Sequence, residues 1–267
     1  MDVENCFPDD LIRMRACLLV AKAIQENLLP QQPPRVEGLD ISGRSVYSGL
    51  IGGDYFDYMD YSEVCCRSPE HIATVVGDVS GHGVSAALLM ATIRAYIRCR
   101  VTYTGDLGEV MTDVNRLVAK DLGASGHFMT LFYLDINRKH GELSWVRAGH
   151  EPAWLYDPAT DCFEILMGNG KALGVDPATI YPVNFRSGLK EGEVIMIGTD
   201  GIWEARDPGG RMFGKERLKT LIRENHRKSS AAIIATVMDS LAAFRNDARP
   251  EDDASLVVVK IVPGRSS

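Results

Sequence analysis

The chain has 267 residues, 45% of them hydrophobic and 24% charged, with a formal net charge of −7. That composition fits a globular protein large enough for one sizeable core, and the acidic balance argues against nucleic acid or an anionic membrane surface as a partner. The acidic start MDVENCFPDD lacks the basic opening of a signal peptide, and the apolar run 16–20 is too short to span a bilayer. The six cysteines show no regular spacing and no C-x-x-C. They read as reduced, mostly buried thiols of a cytoplasmic protein, with Cys65-Cys66 a vicinal pair in a loop.

Asp10 is the expected cap of a helix running to about Leu29. Leu11, Met14, Leu18, Ala21, Gln25 and Leu28 recur at alternating spacings of three and four, a short heptad seam with a polar residue in it. Such a seam suits either docking on its own domain or pairing as a homodimer. Pro30, Pro33 and Pro34 then end the helix and stiffen the joint. Residues 1–35 are thus read as helix and linker, 36–262 as the main domain and 263–267 as a tail.

Residues 39–47 alternate as a half-buried strand. Gly52-Gly53-Asp54 marks a close backbone approach, and the chain continues as strand over 55–61 and loop over 64–70. The apolar run 72–76 turns sharply through Gly77-Asp78-Val79-Ser80-Gly81-His82-Gly83 into a helix reaching Val101. The expected buried face of that helix is Val84, Ala87, Leu88 and Ala91. Leu107, Val110, Met111, Val114, Leu117 and Val118 line a second helix.

Strands follow at 128–136, 143–148, 153–156, 163–166, 181–185 and 194–197, and helices at 213–224 and 231–244. The final strand, 255–262, is apolar enough to be central. Hairpin-length joints point to antiparallel sheets. Two stacked sheets with helix pairs outside is the simplest way to bury so many apolar strands.

Four acids share one local grammar. Asp54 follows Gly-Gly, Asp78 precedes a glycine-rich turn, Asp200 follows an apolar strand and precedes Gly201, and Asp252 precedes the last strand. Any one of them alone reads as a turn or cap residue. Together, at strand edges, they could not stay ionised without a strong positive partner. Divalent cations supply one, and carboxylates with backbone oxygens favour Mg²⁺ or Mn²⁺ over Zn²⁺.

GGDYFD, GDVSGHGVSAALLMA, TDGIWEAR and EDDASLVVVK stand in this order. With FMTLFYLDI, RAGHEPAWLY and MFGKERL, the chain resembles bacterial PPM-type serine/threonine phosphatases. These are protein phosphatase 2C-like enzymes of the sporulation stage II E and sigma-B-regulator class. The resemblance covers about residues 20 to 262. It implies an α+β fold, an α-β-β-α sandwich of two antiparallel sheets flanked by helix pairs, with two Mn²⁺ or Mg²⁺ ions at one end. Carried over residue by residue, it implies that Asp78 bridges both ions and that the Val79 carbonyl is a main-chain ligand. Asp200 and Asp252 hold the first ion, and Asp54 lies near the second, directly or through water. Asp253 falls beside a ligand position. Asp78 and Asp200 are the expected catalytic carboxylates. The implied reaction is hydrolysis of a phosphomonoester by in-line attack of an activated water.

Two departures bear on the roles. Animal members of the wider family place a His directly after the bridging acid and its neighbour; here His82 lies in a longer turn, so a general-acid role is not carried to it. Residues 45–52 offer no basic group to hold phosphate, although Arg44 is nearby. His150 reads as support for a loop near the site and Lys171 as a solvated loop lysine. The implied substrate is a phosphorylated antagonist of an anti-sigma factor, with an upstream sensor or regulator acting through the first helix. GGDYF echoes a diguanylate cyclase signature, but Tyr55 stands where that signature needs an acid. The remaining alternative is a partner-binding signalling module without turnover.

Overall fold

The structure is a computed structural model that describes residues 8–61, 70–246 and 248–264. Helix α1 (Pro8–Leu28) leads into strand β1 (Leu39–Val46), and strands β2 (Tyr55–Asp60) and β3 (His71–Val79) pair antiparallel. Helices α2 (Gly83–Arg100) and α3 (Leu107–Leu122) follow. The chain then makes β4 (Met129–Asn137), β5 (Glu142–Ala148), β6 (Ala153–Asp157), β7 (Cys162–Leu166), β8 (Asn184–Ser187) and β9 (Val194–Gly198). Helices α4 (Lys215–Asn225) and α5 (Ser230–Phe244) precede the last strand, β10 (Ala254–Ile261).

The strands form two five-stranded antiparallel sheets, ordered β1-β10-β9-β6-β7 and β2-β3-β4-β5-β8. Side chains alternate across each strand. Along β10, Val257 and Val259 enter the layer between the sheets, shared with Phe132, Leu134 and Ile195. Leu256 and Val258 face the other way and pack with Leu218, Ile233 and Val237 of α4 and α5. On the second sheet, Val75 and Tyr133 pack under Met90 and Ile97 of α2 and Val110 and Val114 of α3. The result is the expected α-β-β-α sandwich, with β10 interior as its apolar run requires. Among the described residues no helix is long and apolar enough to cross a membrane.

Several local expectations are corrected. Helix α1 begins at Pro8, so Asp10 lies inside it and does not cap it. The buried face of α2 is Ala86, Met90, Ile93 and Ile97, while Val84 and Leu88 are exposed. The first turns of α2 carry apolar residues all round, so periodicity alone picked the wrong stripe. The fifth predicted strand of the middle run is only Asn184–Ser187, after an irregular stretch containing Pro182. Strands β5 and β6 are not a hairpin: the turn at Gly149 carries the chain from one sheet to the other, where β6 pairs with β7 and β9. Cys17, Cys99 and Cys162 are free and exposed rather than buried, because they sit on outward faces of α1, α2 and an edge strand. Cys6, the Cys65-Cys66 pair and all but Glu70 of the 64–70 loop lie outside the described residues.

Candidate functional site

Five strand ends meet at one edge of the sandwich. β1, β3 and β9 finish there, and β2 and β10 begin there, as the pairings Val46↔Ala254, Tyr55↔Gly77 and Leu256↔Gly198 require. The segments bearing Asp54, Asp78, Asp200 and Asp252 therefore leave the sheets at the same end. Alternation also fixes which way some of them point. Asp54 keeps step with Phe56 and Tyr58, and Asp78 with Ile72 and Val76, all of which fill the layer between the sheets. Thr199 keeps step with Ile195 and Ile197, and Ser255 with Val257 and Val259. The inter-sheet layer thus ends in polar groups.

Asp54 is 1% exposed, and its Oδ2 accepts a hydrogen bond from Thr199 Oγ1 at 2.9 Å. The Ser255 amide donates to that same Thr199 oxygen at 2.9 Å, and the Ser45 and Ser255 hydroxyls share a 2.6 Å hydrogen bond. Burial, and then the charge of Asp78, hold the Asp54 carboxyl well above the usual carboxylate range, against the pull of the Ser255 and Thr199 hydroxyls. Asp78 is pushed up to about 7, first by burial and then by Asp200, Asp252 and Asp253. Asp200 is raised by burial, Asp252 and Glu204. Asp54, Asp78 and Asp200 each feel at least one neighbouring carboxylate, and among the described residues no basic side chain pairs with Asp54, Asp78, Asp200 or Asp252. This is the electrostatic signature of a site that asks for cations.

Among the described residues no three acidic side chains close into a ready cage by themselves. A main-chain donor is within the cluster, however. A Cβ on Gly53 would lie 2.9 Å from the Val79 carbonyl oxygen and 3.1 Å from Ala86 Cβ. Only glycine lets the Asp54 segment nest against that carbonyl. A cation held here would meet only oxygen, from carboxylates and one carbonyl, which would suit a hard divalent ion.

Asp253 is occupied otherwise. Its Oδ1 accepts from the Ser48 amide at 2.8 Å and the Ser48 hydroxyl at 3.0 Å, and its Oδ2 accepts from the Gly53 amide at 2.9 Å. It holds the 48–53 loop in place. Gln25 of α1 grips the same loop: its Nε2 donates to the Gly52 carbonyl at 2.7 Å, and the Gly52 amide donates to its Oε1 at 3.1 Å. Asp252 keeps its side chain at the surface and caps the Asp253 amide at 2.8 Å.

The remaining predicted positions fall outside the cluster. His82 is exposed at the start of α2 and makes no capping bond with its side chain. Arg44 lines a separate cavity with Ala231 and Ile234. Lys171 is paired with Asp176 at 2.8 Å. His150 is buried, with Nδ1 2.8 Å from Thr130 Oγ1, and Thr130 sits opposite Asp78 in the β3–β4 register. Burial, with Arg147 adding to it, lowers the His150 pKa to about 4. Sequence reasoning missed Thr199, Ser255 and the Gln25 clamp. Their signals were a hydroxyl in step with a buried strand face and one polar residue inside an apolar seam.

A family model for stage II sporulation protein E (SpoIIE) matches residues 68–262. The chain belongs to the SpoIIE family. The resemblance read from the motifs is thereby borne out, and with it membership of the bacterial PPM-type phosphatases. Among SpoIIE-type relatives, the phosphoserine phosphatase RsbU of Bacillus subtilis (strain 168) is 30% identical over 242 residues, 90% of this chain and 69% of RsbU. The phosphoserine phosphatase RsbP of the same organism is 24% identical over 249 residues, 91% of this chain but only 57% of RsbP. The SiaA-PP2C domain of Pseudomonas aeruginosa has the same fold, with a TM-score of 0.80 at 20% identity, covering 94% of this chain and 98% of that one.

Proposed function

We propose that this SpoIIE-family protein is a divalent-metal-dependent serine/threonine phosphatase acting on a phosphorylated regulatory protein. The observation that carries the reading is the gathering of Asp54, Asp78, Asp200 and Asp252 at one sandwich edge with no basic partner, where burial and neighbouring carboxylates raise the proton affinity of Asp54, Asp78 and Asp200. In this reading Asp78 would serve both ions, Asp200 and Asp252 would hold the first, Asp54 would stand near the second, and the Val79 carbonyl would add a main-chain oxygen. When bound, Mn²⁺ or Mg²⁺ would supply an activated water and neutralise phosphoryl charge.

The chain's own contribution is positioning. Thr199 fixes one oxygen of Asp54, Asp253 anchors the loop that delivers it, and Gly53 opens the approach to Val79. Asp78, held near neutrality in its pKa, gives up its proton easily when a cation arrives. The names of RsbU and RsbP as phosphoserine phosphatases support phosphoserine as the target group. An anti-sigma factor antagonist is the proposed carrier. Exposed Leu11, Ile12, Met14, Leu19, Val20 and Ile24 on α1 support contact with a second copy or an upstream regulator. The free thiols of Cys17, Cys99 and Cys162 suit a cytoplasmic setting.

Hydrolysis of an aryl phosphate and a phosphoserine peptide, followed across a Mn²⁺ titration, tests the proposal. Activity should vanish in excess chelator and return with metal. Asp78→Asn should lower turnover about a hundredfold or more. Full activity in chelator would overturn the metal reading; metal binding without turnover would favour the partner-binding module instead.

A further inference from the structure

Next to the acid cluster lies a cavity of about 390 Å³ lined by Gly201, Glu204, Arg206, Arg245, Arg249 and Asp252, among others. Asp252 belongs to both the cavity and the proposed metal centre, so whatever enters one sits beside the other. Arg245 follows the last residue of α5 and is only 8% exposed. Its Nε is buried with no hydrogen-bond partner. Among the described residues neither Arg245 nor Arg249 has an ion-pair or hydrogen-bonded side-chain partner. Arg206, exposed at the rim, spends one N–H on the Gly210 carbonyl at 2.9 Å. The nearby Asp207 is already satisfied by the Gly209 and Arg211 amides and the Arg211 side chain.

A guanidinium stays protonated in proteins, so Arg245 keeps its charge in a place where water reaches it poorly. A buried donor without a partner, as Arg245 Nε is, is costly, and an acceptor brought by a ligand would complete it. The planar fork of five donors matches a carboxylate, and a second guanidinium at the rim draws anions toward the opening. Four acids share the wall: Asp207 is consumed locally, Asp252 is committed to metal in the proposed function, and Glu204 and Glu251 are exposed, where water screens them from the buried guanidinium.

We propose that this cavity is a substrate subsite that takes an acidic side chain, Asp or Glu, lying close in sequence or space to the phosphoserine of the phosphoprotein, with Arg245 as its anchor and Arg249 at its rim. This rests on the phosphatase reading and deepens it: the metal centre recognises the phosphoryl group, and the arginine cavity recognises its surroundings. Arg245 is then a specificity-determining residue.

The test uses the full chain with Mn²⁺ and phosphoserine peptides in which one glutamate is moved through the flanking positions, each compared with its glutamine twin. At one position wild type should prefer glutamate by about tenfold in kcat/KM, carried by KM. In Arg245→Gln that preference should fall to about one, and Arg245→Lys should retain part of it. The preference is a ratio within each protein, so a general loss of activity does not disturb it. Should Arg245→Gln fail to fold, the exposed Arg249→Gln serves in its place, with the preference reduced a few-fold. Turnover without any glutamate preference at any position, or a preference untouched by both arginine variants, overturns the subsite alone. Absence of all Mn²⁺-dependent turnover overturns the phosphatase reading beneath it.

Discussion

His150 is a buried base whose ring is bonded to Thr130 and whose pKa falls from 6.5 to about 4. Between those values the unfolded chain binds a proton that the folded chain refuses. Stability is therefore full above about pH 6.5 and is lost as pH falls toward 4, by up to about 3 kcal/mol for this residue. His150→Gln should be less stable than wild type at neutral pH yet show a flatter acid dependence, read from melts at pH 7 and pH 4.5. An unchanged acid slope would remove His150 from the account. Gly53 gives a second prediction at this scale. Gly53→Ala forces a methyl to within 2.9 Å of the Val79 carbonyl, costing about 1–3 kcal/mol and weakening Mn²⁺ binding, as melts and a metal titration would register. The acids were legible in sequence because a carboxylate at the end of an apolar strand is conspicuous. The division of labour between Asp252 and Asp253 was not, because neighbours in an extended chain face opposite ways and the sequence does not say which way is inward.

At the scale of elements, α1 splits into two halves with different partners. Gln25 is buried and Leu18, Ala21 and Leu28 are partly covered by the domain, whereas Leu11 and Met14 are exposed. The heptad pattern could not separate docking from pairing, since both ask for the same stripe. The polar residue in that stripe is explained by its two hydrogen bonds to Gly52. Gln25→Ala should cost about 1–3 kcal/mol by stranding both backbone groups, and it should weaken Mn²⁺ binding because the loop carrying Asp54 loses its grip. If metal affinity is unaffected, the clamp is only structural. Met14→Glu, on the exposed half, tests pairing: sedimentation should show a shift toward monomer at matched concentration, and a wild type that stays monomeric at high concentration would end the dimer proposal. The order of strands and helices was readable from period and turn residues. The transfer of β6 to the opposite sheet was not, because a short glycine turn serves a hairpin and a sheet change equally well.

At the scale of the molecule, the proposed ligands come from both sheets. Asp54 and Asp78 flank strands of one, and Asp200 and Asp252 flank strands of the other. Metal should therefore stabilise the whole sandwich, by about 2.7 kcal/mol at a hundredfold excess over Kd. Mn²⁺ should raise the melting temperature of wild type and have little effect on Asp200→Asn; equal shifts in both would place the ion elsewhere. The three-layered core was legible as alternating strands and two helix pairs, because burying both faces of that many strands leaves few arrangements. The pairing of β1 with β10 was hidden, since no local signal joins Leu39 to Ile261. That pairing sets a timetable for synthesis. All five strands of the β2–β8 sheet lie between Tyr55 and Ser187 and can assemble while the ribosome is still at work. The other sheet holds its first and last strands side by side, so β1 waits without its neighbour until residue 261 has left the exit tunnel. Until then the apolar inner face of the finished sheet lacks the cover of β1 and β10, which is the interval in which a nascent chain of this protein is most exposed to aggregation and to chaperones.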